Sequence, residues 1–490
     1  MNEITRENLT HKDLGTPLPD DRNAVSFSLP EWQDVIDYEL NKERVMSKIK
    51  TGYPRFVLHP DVVALNKLYA EKFADETQEC IVLINESAAN YGRDYLNKIA
   101  NDNISKVILD DNLFILLYSN DFSKVAKSFW QYSGYGVSSR QAYNILHNIK
   151  NNEYNFEAEN KIKKRIAEII DISKKEQIIK NSYLFPSGMA AIYSAHNIIK
   201  TITPEAKTIQ LGFSYVDTLK VQNNFGYGTH FIDNDLEKLE KIVSSEKISA
   251  VFCEFPSNPL LKTINIVKLK EILAKYNVPL IADDTIGTFY NIDLYKYADI
   301  LITSLTKSFS GSGNVMSGLL VLNPDSDIYN DSHELLNKKF LNDSYYDDLK
   351  ILEKNSRDFS SRIQKINTNT EFICDYLKSH KEIEIVYYPK FIDQKNYDLI
   401  KKENGGYSGL FSIILKDKDF AVEFYNKLTI AKGPSLGTNF TLCCPYTLLA
   451  HFDELEWAEE NDIPSHLIRV SVGLEDKNEL LNIFNNSLKR

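Results

Sequence analysis

Lys307 is the first residue whose setting suggests chemistry. It lies in Ser304-Leu-Thr-Lys-Ser-Phe-Ser-Gly, just past the apolar run Asp299–Ser304. A lysine amine can condense with an aldehyde, and Ser304 and Thr306 can donate to phosphate oxygens beside it. Alone, the octapeptide also fits a solvated surface lysine, the ordinary fate of the 57 basic residues. Asp283 closes the run Val278-Pro-Leu-Ile-Ala-Asp. A carboxylate there can keep a nearby ring nitrogen protonated, because adjacent opposite charges favour each other. It fits a turn cap as well, and its neighbour Asp284 suits local hydrogen bonding. Pro186-Ser-Gly-Met-Ala-Ala-Ile opens an apolar helical run in which Ser187, Gly188 and Met189 form the start. Glycine permits close approach there, and the free N–H groups of a helix start attract phosphate, although small residues open many helices.

Three more residues complete the set. Tyr215, in Gly-Phe-Ser-Tyr-Val-Asp-Thr, follows a strand-like run and can stack on an aromatic ring, or serve as a core tyrosine. Asn258 sits in the Pro-bracketed turn Glu254-Phe-Pro-Ser-Asn-Pro, where a structural role is equally open. Arg469 opens Arg-Val-Ser-Val-Gly; its planar fork suits a carboxylate, and an edge-strand arginine is the plainer alternative. One cofactor uses all of these groups. Pyridoxal phosphate (PLP) takes a lysine for its aldehyde, a carboxylate for its ring nitrogen, a phosphate cup, a stacking ring and an arginine for the substrate carboxylate.

Other chemistries lack their signatures. The cysteines Cys80, Cys253, Cys374, Cys443 and Cys444 are odd in number and irregularly spaced, with no CxxC or HExxH, so no metal is expected. Gly311-Ser-Gly-Asn-Val-Met-Ser-Gly is glycine-rich but lacks the Gly-Lys-Ser/Thr ending of a nucleotide loop. The net charge of −11 argues against nucleic-acid or anionic-membrane partners. Without a long apolar stretch, and with a polar, acidic start at Met1-Asn-Glu-Ile, the expectation is a cytoplasmic protein.

These residues need elements to position them. Thr208–Phe213, Ala250–Phe255, Val278–Asp283, Asp299–Ser304 and Gly318–Leu322 read as buried strands. Helical spacing of Ile266, Leu269, Leu273 and Tyr276 connects two of them, and Ile162, Ile166, Ile169 and Ile170 mark another helix. The expected fold class is α/β, a mostly parallel sheet with helices on both faces. Residues 323–375 are polar and helix-prone, and strand-like runs return at Ile383–Tyr388, Gly409–Leu415 and Leu467–Val472. Texture places an N-terminal extension at 1–135, a large cofactor-binding domain at 136–330 and a small α+β domain at 331–490.

In this order, Ser187-Gly-Met, Tyr215, Glu254-x-Pro-Ser-Asn-Pro, Asp283-Asp-Thr, Ser304-x-Thr-Lys307, Ser435-Leu-Gly and Leu467-Ile-Arg-x-Ser-Val-Gly resemble the Cys/Met-metabolism PLP enzymes. Asn23-Ala-Val-Ser-Phe-Ser-Leu-Pro-Glu-Trp, Gly52-Tyr-Pro-Arg-Phe, Ser138-Ser-Arg and Lys432-Gly-Pro-Ser-Leu-Gly-Thr-Asn-Phe-Thr-Leu are similar to the fungal-type cystathionine γ-synthase subgroup. The resemblance implies the PLP-dependent transferase fold of type I. It implies a phosphate cup of Ser187, Gly188, Met189, Ser304 and Thr306, ring contacts from Asp283 and Tyr215, and an imine on Lys307. Tyr215 would also assist proton transfer. Arg469, Asn258 and Ser435 would orient a small amino-acid substrate. Arg140 would reach the phosphate of a neighbouring subunit, implying a dimer with shared sites or a homotetramer.

Two positions depart from the wider pattern. Ser138 stands where a tyrosine is usual, and Thr438-Asn-Phe440 stands where bacterial γ-synthases carry an acidic residue. The implied reaction is γ-replacement on an O-acylated homoserine by cysteine. γ-Elimination, another nucleophile, and a non-catalytic PLP-fold binding protein are the alternatives.

Overall fold

The computed structural model describes residues 11–53, 56–150, 155–339 and 344–490. Residues 1–10, which hold the polar start, and Pro54 and Arg55 lie outside them. The described strands fall into three sheets. β1 (Gln78–Leu83), β2 (Ser105–Asp110) and β3 (Leu113–Ser119) form a small antiparallel sheet in the order β1-β3-β2. The central sheet holds β4 (Ser182–Phe185), β5 (Lys207–Leu211), β6 (Thr229–Ile232), β7 (Ile248–Glu254), β8 (Leu280–Asp283), β9 (Ile300–Ser304) and β10 (Gly318–Leu322). Its order is β4-β10-β9-β8-β7-β5-β6, with β10 antiparallel to both neighbours and the other pairs parallel. A third sheet contains β11 (Ile383–Tyr387), β12 (Leu410–Leu415), β13 (Ala431–Lys432), β14 (Leu442–Pro445) and β15 (Ile468–Ser471), ordered β11-β12-β15-β14-β13.

The central strands are unbroken apolar runs because both of their faces are buried. Leu280 and Ala282 of β8, Leu301 of β9 and Leu319 of β10 pack on one layer, against Ile162 and Ile166 and against Leu269 and Leu273. Ile281, Ile300, Ile302 and Leu320 face the other layer, against the helix Gly188–Ile202. This is the expected α/β sandwich. β4, β6, β13, β14 and the β1–β3 sheet lie outside the expected strands. Ser182–Phe185 has only four residues before Pro186, and Thr229–Ile232 is a short edge strand with polar residues. β2 alternates partly buried and exposed positions, which weakens its apolar signal. Among the described residues, no helix is long and apolar enough to cross a membrane.

The N-terminal residues join more than one core. Leu14, Phe27, Leu29, Trp32 and Val35 pack with Phe411, Ile413, Val470 and Phe484 near the C-terminus, whereas Val62, Leu65 and Tyr69 pack on β1 and β3. Residues 25–30 form a strap over residues 425–434. Ser26 Oγ donates to Pro434 O at 2.5 Å, and Leu29 N–H to Lys432 O at 2.8 Å. Tyr425 donates its phenol to Leu29 O at 2.8 Å, and Lys432 Nζ donates to Pro30 O at 2.9 Å. Val25 N–H reaches Gly313 O at 2.9 Å. Lys432 is fully buried, and desolvation pushes its pKa down to about 8.

Phe27 is fully buried at the centre of this contact. Phe27→Ala is expected to cost about 3–5 kcal/mol, read as a lower urea midpoint for loss of tertiary signal.

Candidate active site

The site hangs from the carboxyl ends of the central strands, where open α/β sheets bind ligands. After β4, Pro186 turns the chain into the helix Gly188–Ile202. Ser187 caps it, accepting from Ala190 N–H at 3.0 Å and donating to Gly134 O at 2.9 Å. The first N–H groups of such a helix have no intrahelical partner and favour an anion. A Cβ on Gly188 would lie 2.8 Å from Ser304 Cβ, so only glycine lets the helix start abut the end of β9.

Short hydrogen bonds lace the ends of β8 and β9 together. Ser304 N–H donates to Thr285 Oγ1, and Thr285 N–H to Asp283 Oδ1, each at 2.8 Å. Burial pushes the Asp283 carboxyl up to about 6, against the opposing effect of its bonds from Thr285. A cationic ring nitrogen beside it would favour the anion. Asp284 bonds within its own turn, its carbonyl accepting from Thr288 N–H, and its carboxylate also accepts from Thr303 on β9. Burial raises its carboxyl to about 7. Thr306 Oγ1 donates to Ser317 O at 3.2 Å and accepts from Ser317 N–H at 3.0 Å. Lys307 Nζ donates to Ser435 Oγ at 2.9 Å.

The opposite wall is built around Arg469 on β15. One guanidinium nitrogen donates to Asn258 Oδ1 and another to Ser435 O, both at 3.0 Å. Its Cζ lies 4.6 Å from the centre of the Tyr446 ring, whose hydroxyl accepts from Asn258 Nδ2 at 3.1 Å. Tyr215 donates its N–H to Glu254 Oε2 at 3.0 Å and its phenol to Asp217 at 3.1 Å. Burial, and then the nearby Asp283, hold the Glu254 carboxyl well above the usual range, with Arg469 acting in the opposite sense.

One cavity is therefore lined by Ser187, Gly188 and Met189, by Tyr215, Asn258 and Asp283, by Ser304, Thr306 and Lys307, and by Ser435 and Arg469. Arg140 is not in it: within this chain it pairs with Asp348 and donates to Asn314 O at 3.2 Å. Ser138 caps the helix Ser139–Leu146 by accepting from Gln141 N–H at 3.1 Å. Thr438, Asn439 and Phe440 do not line the cavity; Asn439 Oδ1 accepts from Arg362 at 2.9 Å. Glu254, Thr285 and Tyr446 also line the cavity but were not singled out as site residues. The first two lay inside quoted motifs, whereas Tyr446 has no local signal. Nor does any spacing reveal that Val25, Tyr53 and Phe56 reach this cavity.

The donor set fits a phosphate-bearing pyridine aldehyde: a helix start, hydroxyls, a half-buried carboxylate and a lysine amine line one cavity. The profile of the Cys/Met metabolism PLP-dependent enzymes matches residues 118–489. The chain belongs to this family. It is accordingly a PLP-dependent enzyme and not a binding protein on a borrowed fold. Residues 61–138 match the N-terminal domain of fungal trans-sulfuration enzymes. The chain is 34% identical to a cystathionine γ-synthase of Neurospora crassa over 97% of its own length and 98% of the relative's. A cystathionine γ-synthase-like enzyme of Amanita muscaria is 33% identical, with 96% of this chain and 95% of the relative covered. An L-2-amino-4-chloropent-4-enoate dechlorinase/desaturase of Streptantibioticus cattleyicolor is 26% identical, with 96% of each chain covered. Among solved structures, a putative O-acetylhomoserine (thiol)-lyase of Campylobacter jejuni carrying a pyridoxyl-lysine shares the fold. Its TM-score is 0.58 at 22% identity, covering 69% of this chain and 94% of that one.

The raised Asp283 carboxyl predicts a pH effect in cofactor-free protein. Its folded pKa of about 6 exceeds the ordinary 3.8, so the folded state holds the proton more tightly. The resulting stabilisation is complete below 3.8 and is lost as pH rises through 6. Thermal unfolding of cofactor-free protein should show wild type losing stability relative to Asp283→Asn as pH rises across that window.

Proposed function

We propose that this enzyme replaces the γ-substituent of an O-acylated homoserine with the thiol of cysteine, forming cystathionine. The observation that carries the reading is Lys307, held by Ser435, facing a cavity with Asp283 at one side and the Arg469–Asn258 pair at the other. The near full-length likeness to a cystathionine γ-synthase supports the choice of reaction.

In this reading Ser187, Gly188, Met189, Ser304 and Thr306 would hold the phosphate, Asp283 would pair with the ring nitrogen, and Tyr215 would stack on the ring. Bound PLP supplies the electron sink that makes Cα acidic and lets a γ-substituent depart. Arg469, aimed by Asn258 and the Ser435 carbonyl, takes the substrate carboxylate in its planar fork. Lys307 is the attachment point at rest. With substrate bound, the Lys307 amine would remove the proton from Cα, give it up, and only then take one from Cβ. Tyr215, held by Asp217, assists proton movement on the leaving-group side. The acyl group would depart from Cγ as its carboxylate, the cysteine sulfur would bond there as its thiol proton is lost to solvent, and protons would return to Cβ and Cα. Arg140 is proposed to reach the phosphate of an adjoining subunit in a homodimer or homotetramer, which requires it to exchange Asp348 for that anion.

The test is the visible absorption of the lysine-bound cofactor, followed by product analysis with O-acetylhomoserine. Wild type should show the band, lose or shift it with substrate, and yield cystathionine only when cysteine is present. Lys307→Ala should lack the band and turn over at least about 10³-fold more slowly, as expected when a nucleophile and proton-transfer group are removed together. A 2-oxo acid formed without cysteine would instead establish γ-elimination.

A further inference from the structure

The cavity wall is completed by a segment far from the cofactor motifs in sequence. Val25, Tyr53 and Phe56 line it together with Met316 and Leu449. The strap described above fixes Val25. It also braces the following turn, because Thr51 is buried and donates its hydroxyl to Ala24 O at 2.8 Å. Phe56 N–H and Val57 N–H both donate to Tyr53 O at 2.9 Å. A Cβ on Gly52 would lie 2.9 Å from His59 N, so glycine lets the turn fold back on itself. The Tyr53 and Phe56 rings stack at 5.0 Å and 14°, and the edge of Tyr53 meets the fully buried Phe27 at 6.4 Å. Tyr53 is thus supported by rings on two sides. Burial chiefly raises the pKa of the Tyr446 phenol, with Tyr53 a minor contributor, and Arg469 stacks on the Tyr446 ring.

This placement has a chemical meaning if the cavity takes an amino acid as read above. The carboxylate goes to Arg469 and the amine to the position of Lys307, so the side chain must project towards the remaining wall. Val25, Tyr53, Phe56, Met316 and Leu449 offer that wall aromatic and aliphatic surface. We propose that Tyr53, carried on the same chain and braced by Phe56 and Phe27, is a specificity-determining residue. Its ring packs on the substrate beyond Cβ and selects uncharged γ-substituents.

The test uses full-length, PLP-loaded wild type, Tyr53→Ala and Tyr53→Phe, titrated spectrally with glycine and L-norvaline and assayed with O-acetylhomoserine. Tyr53→Ala should weaken L-norvaline about tenfold and leave glycine within about twofold, as expected for loss of apolar contact with a propyl group. Tyr53→Phe should restore L-norvaline binding. With the ester, KM should rise more than kcat falls. Equal weakening of both amino acids, or of neither, would overturn the proposal. Failure of wild type to turn over the ester, with the L-norvaline split still seen in Tyr53→Ala, would sink the γ-replacement reading and retain the role of Tyr53. Tyr53→Leu, with its different shape, repeats the comparison should Tyr53→Ala not fold.

Discussion

A guanidinium buried between two sheets organises this molecule. Arg469 is only 6% exposed, and burying a charge is costly unless its donors are met. Here they are met by neutral groups: an amide oxygen from the central-sheet side, a main-chain carbonyl at Ser435, and the face of Tyr446. The cation is therefore held without being neutralised by an ion pair among the described residues. Glu254 lies nearby, but its own burial and Asp283 favour the protonated carboxyl. The positive charge remains available to an incoming carboxylate.

The same contact sets the geometry of the lysine. Ser435 has φ of 93°, a backbone region that L-residues enter at a cost. Its carbonyl is held by Arg469, its hydroxyl receives Lys307, and the preceding carbonyl receives Ser26 from the strap. Three segments of sequence thus converge on one strained residue. Gly437, with φ of 72°, follows at once; a Cβ there would lie 2.6 Å from Ser308 N. The Ser-Leu-Gly sequence has its meaning in that close approach to the lysine-bearing turn.

Much of this was legible in the residues themselves. Strands buried on both faces announce themselves as unbroken apolar runs, and the chemical groups sit at their carboxyl ends. What stayed hidden depends on pairing between distant segments. Tyr446 follows two cysteines and a proline with no local pattern, and becomes part of the site only because β14 lies beside β15. β4 is too short to carry a periodic signal; its strand character comes from pairing with β10. Asp284 looked like a turn residue, yet β9 supplies the partner of its carboxylate across the sheet. Val25, Tyr53 and Phe56 reach the cavity only because Phe27 and Leu29 find a core formed by residues near the other end of the chain.

That last pairing bears on how the chain is made. The strap contacts to Lys432 and Pro434 close sequence separations of 402 and 408 residues. Such contacts come late, because the loop they close must be gathered first. On a ribosome, residues 25–30 have no docking surface until residues 425–434 have been synthesised. The central sheet can assemble beforehand, since its strands and helices alternate along the chain. A nascent chain would then hold Lys307 and the helix start at Gly188 with neither Ser435 nor the aromatic wall in place. Residues 25–30 and 425–435 would complete the pocket together.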